Sequence, residues 1–398
     1  MKKETRYRWI WSGTLLLLLV LQTICISCSS DESEDEPRLN IYIYAPERPA
    51  VTRSEIIPTE NEAKIYNLQI WVFRSSDPTK KVASLSLTTE EELAGLNNSR
   101  SDSYSIELTD LSFVRNPEPV DIYVLANQIG NNGTEYKDPI VNSQKLDKAV
   151  FDGGHFFSFM ESPHKAVTSI PEGKGVPMSG VARGRSVFDQ NNVLHINDAN
   201  LRLVRDVSKI RFVFSSLKGE NDAEALANQI FVEGITLDKN MMYYEERFFL
   251  DKTHPNFWVE GGTLNEEVAL VESSLNSPVA QNDDPTQYAY SSSMTEAGYE
   301  AKLDEWTVGD HAPLTQFPVV YLPESDKKLT GIIKYRVGSN TSETKTAPFT
   351  MIGSDFRRNQ TWVVYAYYIG SSKLEVNTVK VTEWDPQNPE DPHELHNW

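Results

Sequence analysis

The chain has 398 residues, a formal net charge of -19 and 39% hydrophobic residues. That length allows two domains with sizeable cores, and the acidic balance argues against nucleic acid or an anionic membrane surface as the main partner. Aromatic residues at 10% are too many for a disordered chain, so most of the sequence is expected to pack.

Lys2, Lys3, Arg6 and Arg8 form a basic start, and an apolar run from Thr14 to Thr23 follows, with Leu15 to Leu19 consecutive. A basic start, a short apolar run and small residues at its end read as an export signal, with a single membrane-spanning helix as the alternative. Ile26 and Ser27 before Cys28 resemble a bacterial lipobox. Residues 1–27 are then the signal peptide, Cys28 is the acylated residue, and its lipid chains anchor the protein in the outer membrane. Cys25 and Cys28 are the two cysteines of the chain, so the body is expected to lack disulfides, cysteine zinc sites and a cysteine nucleophile. The acidic run "SSDESEDEP" at 29–37 reads as a solvated tether, and it also resembles surface-export signals of Bacteroidetes lipoproteins.

The next stretch alternates as a strand: Leu39, Ile41 and Ile43 point one way, Asn40, Tyr42 and Tyr44 the other. "APERPAVTRS" behind it carries prolines and no strand pattern, and is expected to be an exposed loop, where proteases cut. A cut at Arg53 would leave the strand as a noncovalent insert. Its loss would open an apolar slot with unpaired backbone groups, which invites a strand from another molecule.

Strand patterns continue in "IYNLQIWVF" (65–73), "VDIYVLAN" (120–127), "VSKIRFVFSS" (207–216), "TGIIKYRVG", "QTWVVYAYYIG" and "NTVKVTEW". Many short strands with polar turns between them predict β-sandwiches. Helices are expected to be short, near Glu90, Asp222 and Glu296. Residues 272–294 read as a long polar insertion, a boundary is expected at 198–206, and the tail after Trp384 is acidic and proline-rich.

The sequence shows no nucleophile elbow, P-loop, H-E-x-x-H or dinucleotide fingerprint. "HELH" at 393–396 lacks a nearby third metal ligand, His155 has no serine or carboxylate at a telling spacing, and the acids of "QNDDP" (281–285) read as solvated. No catalytic, cofactor or metal residues are assigned.

The segments "AVTRS", "NEAKIYNLQIWVF", "VDIYVLANQ", "VPMSG", "LRLVRDVSKIRF", "FPVVYLPES", "FRRNQTWVVYAYYIG" and "VKVTEW", in this order and spacing, resemble the Bacteroidales fimbrillin family, the subunits of protease-dependent type V fimbriae. The resemblance implies an all-β fold of two tandem transthyretin-like β-sandwich domains with short helical decorations, at 54–200 and 201–384. It implies lipidation at Cys28, cleavage between Arg53 and Ser54 by a surface arginine-specific protease, and a removable leader strand within 28–53 that carries Leu39, Ile41 and Ile43. The segment from about Lys373 to Trp384, with Val379, Val381 and Trp384, would be the donor strand for a neighbouring subunit; completion of its own sheet is the alternative. Residues 385–398 form the tail. The implied protein is a non-enzymatic fimbrial subunit at the cell outer membrane. Its partners are other fimbrial subunits, the protease, the outer membrane through its lipid, and surface ligands of host or bacterial cells. Two alternatives stand beside this: an anchor that keeps its leader strand, and a non-polymerising glycan-binding lipoprotein using Tyr288, Tyr290 and Tyr299.

Overall fold

A computed structural model describes residues 38–46, 62–116, 118–127, 160–162, 165–166, 170, 173, 175–185, 195–196, 201–242, 263–272, 277–325, 327–338, 343–351, 356–370 and 373–383. Residues 39–398 form one compact unit; of the other, residues 1–38, only Arg38 is described. Among the described residues no helix is long and apolar enough to cross a membrane. The apolar run at 14–23 lies outside them.

The fold is all-β. In chain order come β1 (Arg38–Tyr44), β2 (Leu68–Arg74), β3 (Asp77–Leu87), β4 (Ser101–Glu107) and β5 (Val120–Ala126). The short β6 (Met160–Ser162) and β7 (Lys165–Ala166) precede β8 (Met178–Arg185), β9 (His195–Ile196) and β10 (Val204–Arg205). Then follow β11 (Val207–Leu217), β12 (Ile230–Leu237), β13 (Val268–Val271), β14 (Gln281–Asn282), β15 (Thr315–Gln316) and β16 (Val320–Pro323). The last four are β17 (Thr330–Val337), β18 (Lys345–Thr350), β19 (Gln360–Tyr368) and β20 (Glu375–Glu383). The α-helices described are α1 (Ala94–Ser99), α2 (Leu111–Arg115), α3 (Asp222–Ala227) and α4 (Glu296–Trp306).

A five-stranded sheet in the order β10-β8-β5-β2-β3 and a three-stranded sheet β4-β1-β9 enclose a first core, where Leu39, Ile41 and Ile43 meet Ile70, Val72, Ile122 and Val124. A second core lies between the sheet built on β11, β19 and β20 and the sheet β18-β17-β12-β13-β7-β6. The chain changes sheets at Asp206: Val204 and Arg205 pair with β8, while Val207 opens β11. The small strands β6 and β7 join the sheet of β12, although they precede β8 in the chain.

Strand β11 pairs in parallel with β19 from Lys209 to Ser216 and is buried as far as Ser216. Ile210, Phe212 and Phe214 enter the second core, as alternation predicts. Its other face is not solvated either: Val213, with Val363 and Tyr365 of β19, packs beneath Tyr299 and Leu303 of α4. Lys209 and Arg211 on that face are buried and bonded to carboxylates, Lys209 to Glu62 and Arg211 to Asp304 at 2.7 Å. Such burial is tolerable only because each cation has a partner.

The described part of the polar segment, 277–294, is laid against the sheet. Val279 is buried and donates its N–H to the Ile230 carbonyl at 2.9 Å, and Gln281 and Asn282 pair with β11. Asp284 caps a short 3-10 turn, Pro285–Tyr288, by accepting from the Thr286 N–H at 3.0 Å. That cap assigns the carboxylate a local structural role.

Candidate assembly site

Strand β1 is the central strand of its sheet, with β4 on one side and β9 on the other. It runs parallel to β9, Asn40 opposite His195 and Ile41 opposite Ile196, and Tyr44 exchanges bonds with the segment before β10. The Tyr44 N–H donates to the Leu201 carbonyl at 3.0 Å, and the Leu203 N–H to the Tyr44 carbonyl at 2.8 Å. Leu39, Ile41 and Ile43 are each 0% exposed. Burial of a branched aliphatic side chain stabilises by roughly 2 kcal/mol, so these three make β1 a major part of the first core. The opposite face is half-buried: the Tyr42 and Tyr44 rings lie 5.1 Å apart, and the Arg202 guanidinium sits 5.5 Å from the Tyr44 ring.

The chain leaves this slot at Pro46 and is described again from Glu62. At the exit the Ala45 N–H donates to the Arg100 carbonyl at 2.8 Å, and the Arg100 Nε donates to the Pro46 carbonyl at 2.7 Å. At re-entry two asparagine amides grip the backbone. Asn97 accepts from the Ile65 N–H and donates to the Ile65 carbonyl, both at 2.8 Å. Asn127 accepts from the Tyr66 N–H at 2.8 Å and donates to the carbonyls of Lys64 (3.0 Å) and Val176 (2.7 Å). Gly175 has a φ of +66°, and a Cβ there would strike the Asn127 amide and the Lys64 carbonyl, so only glycine fits beside this clamp. Glu62 carries the grip further: it accepts from the Tyr321 hydroxyl at 2.6 Å and lies 3.4 Å from Lys209 Nζ.

The other end of the chain is held differently. Strand β20 pairs antiparallel with β19 from Glu375 to Glu383, at the end of its sheet, and so completes the sheet of its own chain. Leu374, just before it, is buried and donates its N–H to the Tyr335 hydroxyl at 3.0 Å. Within the strand Val376 and Val379 are only half-buried; Val379 lies opposite Val363 and packs beside α4. Val381 falls in β20. Cys28, Arg53, Ser54 and Trp384 lie outside the described residues, as do His155 and the histidines of "HELH".

Of the tyrosines weighed as a sugar platform, Tyr288 and Tyr290 are half-buried and Tyr299 is sealed inside. Tyr299 is 0% exposed and donates its hydroxyl to the Tyr288 carbonyl at 3.0 Å, with the rings of Tyr290 and Trp306 edge-on to it. It sits on the inner face of α4, where it seals β19, and so presents no face to a ligand. Among the described residues no group of three or more His, Cys, Asp or Glu could hold a metal ion.

No family model matches the chain, and neither does any curated protein. Similar solved structures include the C-terminally truncated tip fimbrial protein Mfa3 from Porphyromonas gingivalis, at 15% identity and a TM-score of 0.48, over 86% of this chain and 98% of that one. The chain resembles the fimbrillins. A fimbrial assembly protein from Parabacteroides distasonis is similar at 12% identity and a TM-score of 0.44, over 86% and 95% of the two chains. The fimbrilin fimA from Porphyromonas gingivalis W83 is similar at 10% identity and a TM-score of 0.44, over 86% and 96%.

Proposed function

We propose that this fimbrillin-like chain is a non-enzymatic fimbrial subunit that works at the cell surface and assembles by strand exchange after cleavage at Arg53. One observation carries the reading: the strand nearest the N-terminus among those described is a central strand whose apolar face, Leu39, Ile41 and Ile43, is wholly buried, and a single stretch, 47–61, joins it to the rest of the fold. One cut between Arg53 and Ser54 would turn a covalent core strand into a removable insert. Its departure would uncover the first core between β4 and β9, and an incoming strand would restore both the ladder bonds and the apolar contacts. Strand β20, which carries Val379 and Val381, is the donor in this reading, with Trp384 beyond. The protein is delivered as a lipoprotein acylated at Cys28, its two cores are the two tandem domains, and its partners are further fimbrial subunits and ligands on neighbouring cells.

The test is the mature N-terminus of protein from the cell surface, read by intact mass, together with ladders on unboiled gels. A chain beginning at Ser54 is expected. Arg53→Ala is expected to keep the leader and lose the ladders, and deletion of Leu374 to Trp384 to lose the ladders while leaving a folded monomer. Ladders that persist in both variants would refute strand exchange. A second reading, an anchor that keeps its leader, is favoured by the burial of the apolar face of β1 and by the place of β20 in its own sheet; a mature chain beginning at acylated Cys28 would select it.

A further inference from the structure

One short element holds the chain on either side of the stretch 47–61. Helix α1 grips the re-entry through Asn97, and the residue that ends the helix, Arg100, grips the exit. Arg100 stands in the left-handed region at φ 61°, which terminates α1 and leaves its carbonyl as the acceptor for Ala45. Its guanidinium then does two things: Nη1 donates to the Leu96 carbonyl of α1 at 3.0 Å, while Nε and Nη2 both bond the Pro46 carbonyl. We propose that Arg100 is the latch of the leader strand and sets the rate at which β1 leaves its slot. The proposal rests on the strand-exchange reading for its purpose, and on the geometry at Pro46 for its mechanism.

The latch lies where unzipping must begin. After a cut at Arg53 the free end of the leader is the end that follows Pro46, so the Pro46 and Ala45 contacts are the first to break. Bonds from a cation to a carbonyl are about twice as strong as neutral ones, and the planar fork of arginine reaches one oxygen from two nitrogens, which a lysine cannot reproduce. The downstream end has no such need. It is fixed by two amide clamps and by the buried Ala63 and Ile65, and it runs on into β2. The cut thus frees one side only, and on that side the Arg100 side chain holds the exit.

Two readouts on the full-length chain test this. Hydrogen exchange is measured on uncut wild type, on Arg100→Asn, which tolerates the left-handed backbone, and on Arg100→Lys. Exchange at 39–46 is expected to rise about tenfold or more in Arg100→Asn and less in Arg100→Lys, with β11 and β19 unchanged. Equal exchange in wild type and Arg100→Asn would overturn the latch. Faster exchange spread over β11 and β19 would overturn it too, by making Arg100 a general stabiliser. Cleavage with an arginine-specific protease then follows, and leader loss is timed by gel filtration and intact mass. Faster loss from Arg100→Asn supports the latch. If 39–46 opens in the uncut variant yet the cut leader stays bound in every chain, the latch stands and the strand-exchange reading fails.

Discussion

Arg358 lies between two buried carboxylates, with Nη1 2.6 Å from Asp206 Oδ1 and Nη2 2.6 Å from Glu324 Oε1. Ser179 adds its hydroxyl to Asp206 at 2.5 Å, while Asp206 Oδ2 has no hydrogen-bond partner among the described residues. Burial pushes the Asp206 carboxyl up to about 7; Arg358 and Ser179 pull it down, and Glu324 pushes it further up. A carboxyl whose folded value is raised stabilises the fold fully below the ordinary carboxylate range and loses that contribution as pH rises through 7. From pH 5 to 8, wild type is therefore expected to lose on the order of 2 kcal/mol relative to Asp206→Asn, measured as urea unfolding at both pH values. Parallel changes in the two proteins would show that Asp206 is ionised throughout. This residue joins β10 to β11, so its proton state bears on the point where the chain passes from one sheet to the next.

The two strands assigned to exchange differ in how firmly they are held. Strand β1 has neighbours on both sides and three side chains out of solvent; β20 ends its sheet, and Val376 and Val379 remain half-buried. Removing a buried branched side chain costs its transfer energy and leaves a cavity, so Ile41→Ala is expected to destabilise the uncut chain by about 3 kcal/mol. Val379→Ala is expected to cost about 1 kcal/mol or less, for want of burial. Urea midpoints of the two variants compare them directly, and a larger cost at Val379 would reverse the assignment of plug and donor. The alternation of Leu39, Ile41 and Ile43 made β1 readable as a strand, and the short helical patterns gave α1, α3 and α4. The helix α2 was missed, because five residues are too few for a periodic signal; its start, Asp110 accepting from the Ser112 and Phe113 N–H groups, was the available cue.

Across the whole unit, Glu62 ties the chain just after the stretch 47–61 to β11 and β16. It reaches Lys209 and Tyr321, which are 147 and 259 residues away in sequence. Glu62 and Lys209 are both about 3% exposed. Taking the charge from one partner of a buried pair leaves the other desolvated without it, at a cost of about 3 kcal/mol or more. Glu62→Gln is thus expected to lower stability by that amount and to broaden thermal unfolding, as the first core melts ahead of the second. A single sharp transition with an unchanged midpoint would show that the pair contributes nothing to coupling. None of Asn97, Arg100, Asn127, Asp206 or Arg358 stood out in the sequence, because polar residues in loops and helix ends look alike until their partners are placed.

By itself the sequence determined what local pattern can carry: an all-β chain, the alternation that makes Leu39, Ile41 and Ile43 one face, the strand pattern at 377–384 and the proline-broken stretch behind β1. Periodicity of two is a property of the backbone, and it is visible wherever one face is apolar. Only the tertiary structure decided that β1 is central, that β20 lies in its own sheet, that Tyr299 is sealed inside, and that Arg100 closes the exit at Pro46. These depend on contacts between residues far apart in the chain. A linear pattern states which face of a strand wants burial, but which neighbour covers it is settled only when the whole chain has folded.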